Sequence, residues 1–225
     1  MDPGSPLVAI VGGLVGAVLG FAADRFAVRW PEHDPDDPEH PAARPIGWRT
    51  VVVVVVGALA FGLLPGRFAD EPVGLVLFGA WFATLVVGLA IDLDQRLLPD
   101  VLTLPVIPIA LVIALLDVNP LVGGNWVGAV IAALVIPAIL YLPSIPFGAG
   151  AFGMGDVKLL VGAGLLLGLS RSVSGVVAGL LLSGLVLITL LAARRIGRRS
   201  YVPFGPFLII GAMWAVLVLR PAGPP

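Results

Sequence analysis

Residues 73–91 have the sequence VGLVLFGAWFATLVVGLAI, nineteen residues without a charge that end directly before Asp92. A helix of about 20 apolar residues spans the hydrocarbon core of a bilayer, and an uncharged apolar stretch of about 18 or more predicts such a helix. This segment therefore predicts a membrane-spanning helix with a carboxylate at its end.

The rest of the chain has the same character. Of its 225 residues, 59% are hydrophobic and 12% are charged, roughly half the charged share of a soluble domain. A soluble fold of this length could not bury so much apolar surface. We expect an all-α integral membrane protein in which residues 1–225 form a single polytopic bundle of about eight transmembrane helices. The eight predicted spans cover residues 6–22, 48–64, 73–91, 101–116, 122–142, 157–169, 173–193 and 204–219.

The composition excludes several classes of function. Thirteen Lys and Arg residues against 14 Asp and Glu residues give a net charge of −1, which argues against nucleic-acid binding. The chain has no cysteine, so disulfides, thiolate zinc sites and cysteine nucleophiles are excluded. His33 and His40 lie in an acidic, proline-rich stretch whose spacing matches no established metal site. We predict a solvated loop there, and neither a metal nor a cofactor.

The basic residues predict the orientation in the membrane. Three of them, Arg67, Arg171 and Arg220, fall on one side of the predicted bundle. The positive-inside rule places the other side in the cytoplasm and the N-terminus outside. Segments 92–100 and 143–156 then share the cytoplasmic face. The ten basic residues on that face are Arg25, Arg29, Arg44, Arg49, Arg96, Lys158, Arg194, Arg195, Arg198 and Arg199.

Glycines spaced four residues apart occur in two predicted helices. Gly12, Gly16 and Gly20 form one ridge, and Gly175 and Gly179 form another. Small residues at this spacing allow two helices to approach closely. The pattern favours packing within the chain, while a seam in a homo-oligomer remains the alternative.

Two carboxylates stand out from those in the loops. Asp92 ends the third predicted span, and Asp156 opens the short sixth one. A carboxylate at the edge of a membrane is costly unless it is hydrated, paired or neutral, so both are candidates for function. Two adjacent carboxyl groups share one proton. The ionised group can then activate a water while its protonated partner polarises the carbonyl under attack, with no basis for assigning the proton to either aspartate.

Glycines precede Asp156 at positions 148, 150, 153 and 155. Because glycine has no side chain, Gly153 and Gly155 would let an extended substrate approach the backbone; a flexible linker is the alternative. Residues 148–153 also match the pattern GxGxxG. No predicted strand precedes them, so we exclude a nucleotide site.

Three further charged residues lie near the two carboxylates. We predict that Asp94 is solvated or supports the site, and that Asp100 caps a helix N-terminus. Lys158 attracts an acidic group of the substrate, biases the protonation of the aspartate pair, or anchors the chain on the cytoplasmic side.

Three ordered motifs carry a resemblance to a known family. They lie in segment 91–105, which begins with Ile91-Asp92-Leu93-Asp94, in segment 153–160, which begins with Gly153-Met154-Gly155-Asp156, and in segment 202–207, with the sequence VPFGPF. The chain resembles the type IV prepilin peptidases, membrane aspartic proteases of the GxGD type, over roughly residues 50–220.

The resemblance implies a site and an activity. The family's catalytic aspartates fall on Asp92 and Asp156, with Gly153, Gly155, Lys158 and Asp94 in supporting or substrate-binding positions. The implied activity removes the basic leader from type IV pilin-like precursors at the cytoplasmic face of the inner membrane, after a glycine. The implied partners are single-span prepilin-like substrates of pilus and protein-secretion systems, embedded in membrane lipid.

The chain also departs from fuller members of that family. Those carry a larger cytoplasmic region near the N-terminus, with paired cysteines, linked to N-methylation by S-adenosylmethionine. Here an acidic, proline-rich cytoplasmic loop over residues 24–49 stands in its place, before a peptidase core over 50–220, and cysteine is absent. We therefore expect the peptidase activity without the N-methyltransferase.

Other functions are compatible with the same residues. A small proton- or cation-coupled transporter would use both aspartates as a relay, but the sequence shows no internal repeat and both acids fall at one face. Another GxGD protease, of preflagellin or signal-peptide type, is disfavoured by the VPFGPF element. An inactive assembly factor is disfavoured by the intact aspartates.

Overall fold

The computed structural model describes residues 5–30, 44–147, 152–195 and 203–219, and within these ranges it is helical and contains no strand. The prediction of an all-α polytopic membrane protein is thereby confirmed. A 3₁₀ turn, Leu142–Phe147, follows the sixth helix. The helices are α1 (Pro6–Ala27), α2 (Trp48–Arg67), α3 (Pro72–Gln95), α4 (Asp100–Thr103), α5 (Val106–Leu115), α6 (Trp126–Tyr141), α7 (Met154–Ala192) and α8 (Gly205–Val218).

Each of the eight predicted spans coincides with helix. Helices α1, α2 and α3, α6 with its following turn, and α7 are long and apolar enough to cross a membrane, whereas α4–α5 and α8 are shorter apolar helices. Helix α7 covers both the sixth and the seventh predicted span. Gly168, with φ 69° and ψ 179°, interrupts the helix between the two spans. Glycine adopts this left-handed conformation without the steric cost that a side chain would bring.

Buried side chains compensate the interruption of α7. Asn119, which is 1% exposed, donates from Nδ2 to the carbonyl oxygen of Leu166 at 2.8 Å. Ser172 donates from Oγ to the carbonyl oxygen of Ala163 at 3.3 Å. Both acceptors lie in the last turns before Gly168, where a helix end leaves carbonyl groups without intrahelical partners.

The glycine ridges pack helices against each other within the chain. A Cβ atom at Gly20 would lie 2.6 Å from the carbonyl oxygen of Val53 in α2, and one at Gly179 would lie 2.6 Å from that of Phe207 in α8. The antiparallel pair α1–α2 and the pair α7–α8 thus touch backbone to backbone. The interpretation of these ridges as intrachain contacts is supported, while a homo-oligomer stays a prediction.

The predicted loop 24–49 begins and ends differently in the structure. Helix α1 continues to Ala27 and α2 begins at Trp48, so Asp24 is helical and fully buried rather than part of a solvated loop. The prediction was wrong at this boundary because Asp24 has cationic partners that hydropathy does not show. Residues 31–43, including His33 and His40, lie outside the described residues.

Two buried aspartates and three partly exposed arginines form an ion-pair cluster, which we define as Asp24, Arg25, Arg44, Arg49 and Asp94. The guanidinium of Arg44 bonds to Asp24 through Nη2 and to Asp94 through Nη1. Arg49 pairs with Asp94 at 2.8 Å, and Arg25 pairs with Asp24. Because Asp24 belongs to α1 and Asp94 to α3, the ion-pair cluster fixes the end of α3 to the α1–α2 pair.

Replacing Gly16 by Ala is expected to destabilise the protein. A Cβ atom there would lie 2.8 Å from the Cβ of Phe61 and 2.6 Å from the carbonyl carbon of Gly57, and overpacking of this kind costs about 1–3 kcal/mol. The control is Gly184→Ala, because a Cβ at Gly184 meets nothing within 4 Å and alanine favours helix by about 1 kcal/mol. Thermal unfolding in detergent measures both, and equal midpoints would contradict the packing argument.

The ion-pair cluster is expected to show strong energetic coupling. A double-mutant cycle with Arg44→Gln and Asp94→Asn should give a coupling toward the upper end of the range of about 0.5–3 kcal/mol for contacting residues in one network. The comparison pair is Lys158 and Asp100, where the Asp100 side chain is 60% exposed, and a surface pair contributes about 0.2–1 kcal/mol. The free energy of unfolding in detergent is the measurement. Equal coupling in the two pairs would show that the cluster does not fix α3.

Candidate active site

The ends of three helices meet around one cavity of about 200 Å³. Asp92 lies in the last turns of α3, Asp156 in the first turn of α7, and Gly205 begins α8. The segments joined at this cavity are the three that carry the sequence motifs. Its lining consists of Asp92, Arg96, Leu97, Leu98, Gly153, Met154, Gly155, Asp156, Pro203, Phe204 and Gly205.

The two carboxyl groups flank the same point of the backbone. A Cβ atom at Gly205 would lie 2.9 Å from the carboxyl carbon of Asp92 and 3.1 Å from Oδ1 of Asp156. These two distances bound the separation of those atoms at about 6 Å. The structure thus brings together the two aspartates that the sequence singled out, and only glycine leaves room for both at this position.

Asp92 is buried, and one of its carboxyl oxygens lacks a hydrogen-bond partner among the described residues. Its exposed fraction is 4%, and its Oδ2 has no hydrogen-bond partner among the described residues. A buried polar atom without a partner is costly, and such atoms in native proteins are often reserved for a ligand or for chemistry. Helix α8 starts beside this carboxyl group, and the partial positive charge of a helix N-terminus stabilises negative charge nearby.

Asp156 is positioned by the glycines that precede it. Gly153 is the N-cap of α7, and Asp156 follows three positions later, with its Oδ2 3.4 Å from where a Cβ atom at Gly153 would lie. A Cβ atom at Gly155 would lie 2.9 Å from the Cβ of Leu98. The absence of that atom lets the start of α7 rest on the segment that follows α3. Gly148 and Gly150 lie outside the described residues.

Three other predicted residues lie away from the cavity lining. Asp94 is not solvated, because its side chain is 4% exposed and belongs to the ion-pair cluster. Lys158 donates from Nζ to Oδ1 of Asp100 at 2.5 Å. The prediction that Asp100 is an N-cap was wrong: Pro99 holds that position and Asp100 lies in the first turn of α4, where its carboxylate receives Lys158 instead.

Arg96 and Leu97 line the cavity and were not among the candidates from the sequence. Arg96 ends α3 in the left-handed conformation, with φ 56°, which turns the chain toward Leu98 and the start of α7. A single sequence gives little signal for this turn, because arginine rarely adopts that conformation. In the described parts of the chain, no group of three or more His, Cys, Asp or Glu residues is arranged to hold a metal.

Comparisons with known proteins identify the family of the chain. The model of the type IV leader peptidase family matches residues 77–196. A prepilin leader peptidase/N-methyltransferase of Dickeya chrysanthemi is 36% identical over 177 residues, covering 76% of this chain and 61% of the relative. The protein of that name from Burkholderia pseudomallei strain 1026b is 32% identical over 168 residues, covering 74% and 54%. No solved structure matches the chain significantly.

The chain spans between half and three fifths of the length of these curated relatives. The names of these relatives and the long apolar helices support a multi-pass protein of the inner membrane. The family match covers more than half of the chain and includes both aspartates of the cavity. This chain belongs to the type IV leader peptidase family.

Proposed function

We propose that the chain is a membrane aspartic endopeptidase that removes the basic leader of type IV pilin-like precursors. The observation that carries the proposal is the placement of Asp92 and Asp156 on either side of Gly205 in one cavity. Membership of the family and the printed names of the relatives support the substrate class.

The first half of the reaction uses one ionised and one protonated carboxyl group. Two carboxyl groups within about 6 Å of each other in a partly buried site share a single proton. The ionised group takes a proton from a water as that oxygen bonds to the scissile carbonyl carbon. Its protonated partner gives a proton to the carbonyl oxygen, so the product of this step is a neutral gem-diol.

The second half restores the starting state. The carboxyl group that took the proton from water gives it to the leaving nitrogen as the carbon–nitrogen bond breaks. One hydroxyl of the gem-diol returns its proton to the other carboxylate, leaving the new carboxyl terminus of the leader and the amine of the mature protein. Protons balance over the cycle, and the pair again shares one proton.

The distribution of basic residues supports a cytoplasmic face for the cavity. Arg96 lines the cavity, and Lys158 and the ion-pair cluster lie at the same end of the bundle. Arg67 lies at the opposite end, since it donates to the carbonyl oxygens of Val216 and Leu219, where α8 finishes. Under the positive-inside rule, the cavity faces the cytoplasm and the N-terminus lies outside.

The proposal covers the peptidase activity and not the methylation. The printed names of the relatives combine both activities, whereas this chain spans only part of their length. It also lacks the cysteines that the resemblance associates with the methylating region.

Asp92→Asn and Asp156→Asn are each expected to abolish removal of the leader from a co-expressed prepilin. Loss of a general acid or base lowers the rate by about 10²–10⁴-fold, and either aspartate is needed in every cycle. Asp100→Asn is the matched control, because this exposed aspartate lies nearby and outside the cavity lining. A gel shift of the prepilin and the amount of enzyme in the membrane are measured. Near-normal cleavage by either Asp92→Asn or Asp156→Asn would contradict the mechanism.

Gly205→Ala tests the packing of the pair. A methyl group there would contact both carboxyl groups, and a displacement of about 1 Å in a catalytic group lowers rates by about 100-fold. We expect cleavage to fall by about that factor. The thermal midpoint should fall less than in Gly16→Ala, because the methyl group meets the ends of two side chains rather than the backbone of another helix. Gly66→Ala is the control, since a Cβ at Gly66 meets nothing within 4 Å. Full activity in Gly205→Ala would contradict the requirement for glycine.

A further inference from the structure

One basic side chain lies in the cavity with the two carboxyl groups. Among the described residues that line the cavity, Arg96 alone is basic. It follows Asp92 by four residues, and its backbone N–H donates to the carbonyl oxygen of Asp92 at 2.9 Å. Four residues advance a helix by about one turn, or about 6 Å. Arg96 therefore lies one turn from Asp92 at the wall of the cavity.

The charge of Arg96 is not compensated within the part of the chain that the structure describes. The three arginines of the ion-pair cluster bind buried aspartates, and Lys158 binds Asp100. Arg96 is exposed, and its side chain forms no ion pair with another described residue. A guanidinium has five N–H donors, and those of Arg96 are open to a ligand that enters the cavity.

The backbone at Arg96 carries a cost that glycine would avoid. Arg96 has φ 56° and ψ 37°, the left-handed conformation that glycine commonly adopts after the end of a helix. A side chain in this conformation crowds the following carbonyl group, whereas glycine closes the same turn without that contact. The turn alone therefore does not explain an arginine here, and strain beside a catalytic pair favours a role for the side chain.

Peptide cleavage would create a carboxylate inside this cavity. Under the proposed mechanism, the new carboxyl terminus of the leader forms between Asp92 and Asp156. A free peptide carboxyl group is ionised at neutral pH, and two aspartates that share one proton are together negative. The product is therefore repelled unless a cation compensates it. A guanidinium can bind a carboxylate through two parallel hydrogen bonds, and Arg96 is placed to do so.

We propose that Arg96 binds the new carboxylate of the leader, so that the enzyme retains the cleaved leader more tightly than the same peptide without that charge. The inference rests on the proposed function and adds the residue that recognises its product. Uncleaved substrate has an amide at this point and no carboxylate. Arg96 thus distinguishes the product from the substrate, and the free leader inhibits the enzyme.

Two synthetic leader peptides test this inference on the full chain in detergent. Both have the leader sequence of the prepilin used as substrate and end at its cleavage point, one with a free carboxylate and the other with an amide. They differ by one charge and share the same basic residues. We expect the acid to inhibit prepilin cleavage at about a tenfold lower concentration than the amide, because a charge-assisted pair strengthens binding. Arg96→Gln should lose this preference.

Arg194→Gln is the matched control. Arg194 is also an exposed arginine in the left-handed conformation, with φ 53°, but it lies outside the cavity lining. Its replacement removes the same charge from the same kind of backbone position, and the preference for the acid should be unchanged. Arg96→Lys should retain part of the preference, because lysine keeps the charge and loses the planar pair of donors.

Arg96→Gly separates the guanidinium from the turn. Glycine adopts the left-handed conformation without steric cost, so the thermal midpoint should not fall, while the preference for the acid should be lost as in Arg96→Gln. This variant decides alone if Arg96→Gln does not fold. A preference retained in either folded variant would show that the carboxylate binds to the aspartates or to the turn itself, and would overturn the inference.

The outcomes separate this inference from the proposed function. If the wild type cleaves the prepilin but the acid and the amide inhibit equally, Arg96 does not bind the product and the peptidase stands. If the wild type does not cleave, the peptidase proposal fails, and the rise of the thermal midpoint with each peptide measures the preference instead. A larger rise with the acid that depends on Arg96 still supports the carboxylate site, and an equal rise overturns it.

Discussion

The buried carboxyl group of Asp92 and the partly buried one of Asp156, beside each other at the edge of a bilayer, form the constraint on which the rest of this structure depends. Three helix ends must converge within a few ångströms while leaving no side chain between the acids, and Gly205 provides that space. The end of α3 is fixed by the ion-pair cluster, and the start of α7 rests on Leu98 through Gly155. The arrangement of helices serves to hold these two acids in place.

The buried acids among the described residues fall into two kinds. Asp24 and Asp94 are each bonded to two guanidinium groups, so their charge is compensated and they serve as ties between helices. Asp92 is equally buried, but its Oδ2 has no hydrogen-bond partner among the described residues. A compensated charge stabilises one arrangement of helices, whereas an uncompensated carboxyl group retains capacity for a proton, a water or a substrate.

Hydropathy and motif spacing predicted the helical segments and the pair Asp92 and Asp156, because both depend on residues close together in the chain. The contacts that position this pair depend on residues far apart. Arg44 reaches Asp94 across fifty positions, and Lys158 reaches Asp100 across 58, which is why Asp24 was assigned to a loop and Asp100 to a cap. Asp24 directly follows an apolar segment, as Asp92 does. That location in the sequence could have indicated that the carboxylate of Asp24 needs a cationic partner.

The interruption at Gly168 also sets how far the helices near the cavity reach. The part of α7 before Gly168 and the whole of α8 each have 14 residues, which is about 21 Å of helix. The hydrocarbon core of a bilayer is about 30 Å thick. Most residues of both segments are buried among the other helices, so protein rather than lipid surrounds them. Longer helices such as α3, with 24 residues, therefore span the membrane around them, and the short segments set where Asp156 and Gly205 lie within the bundle.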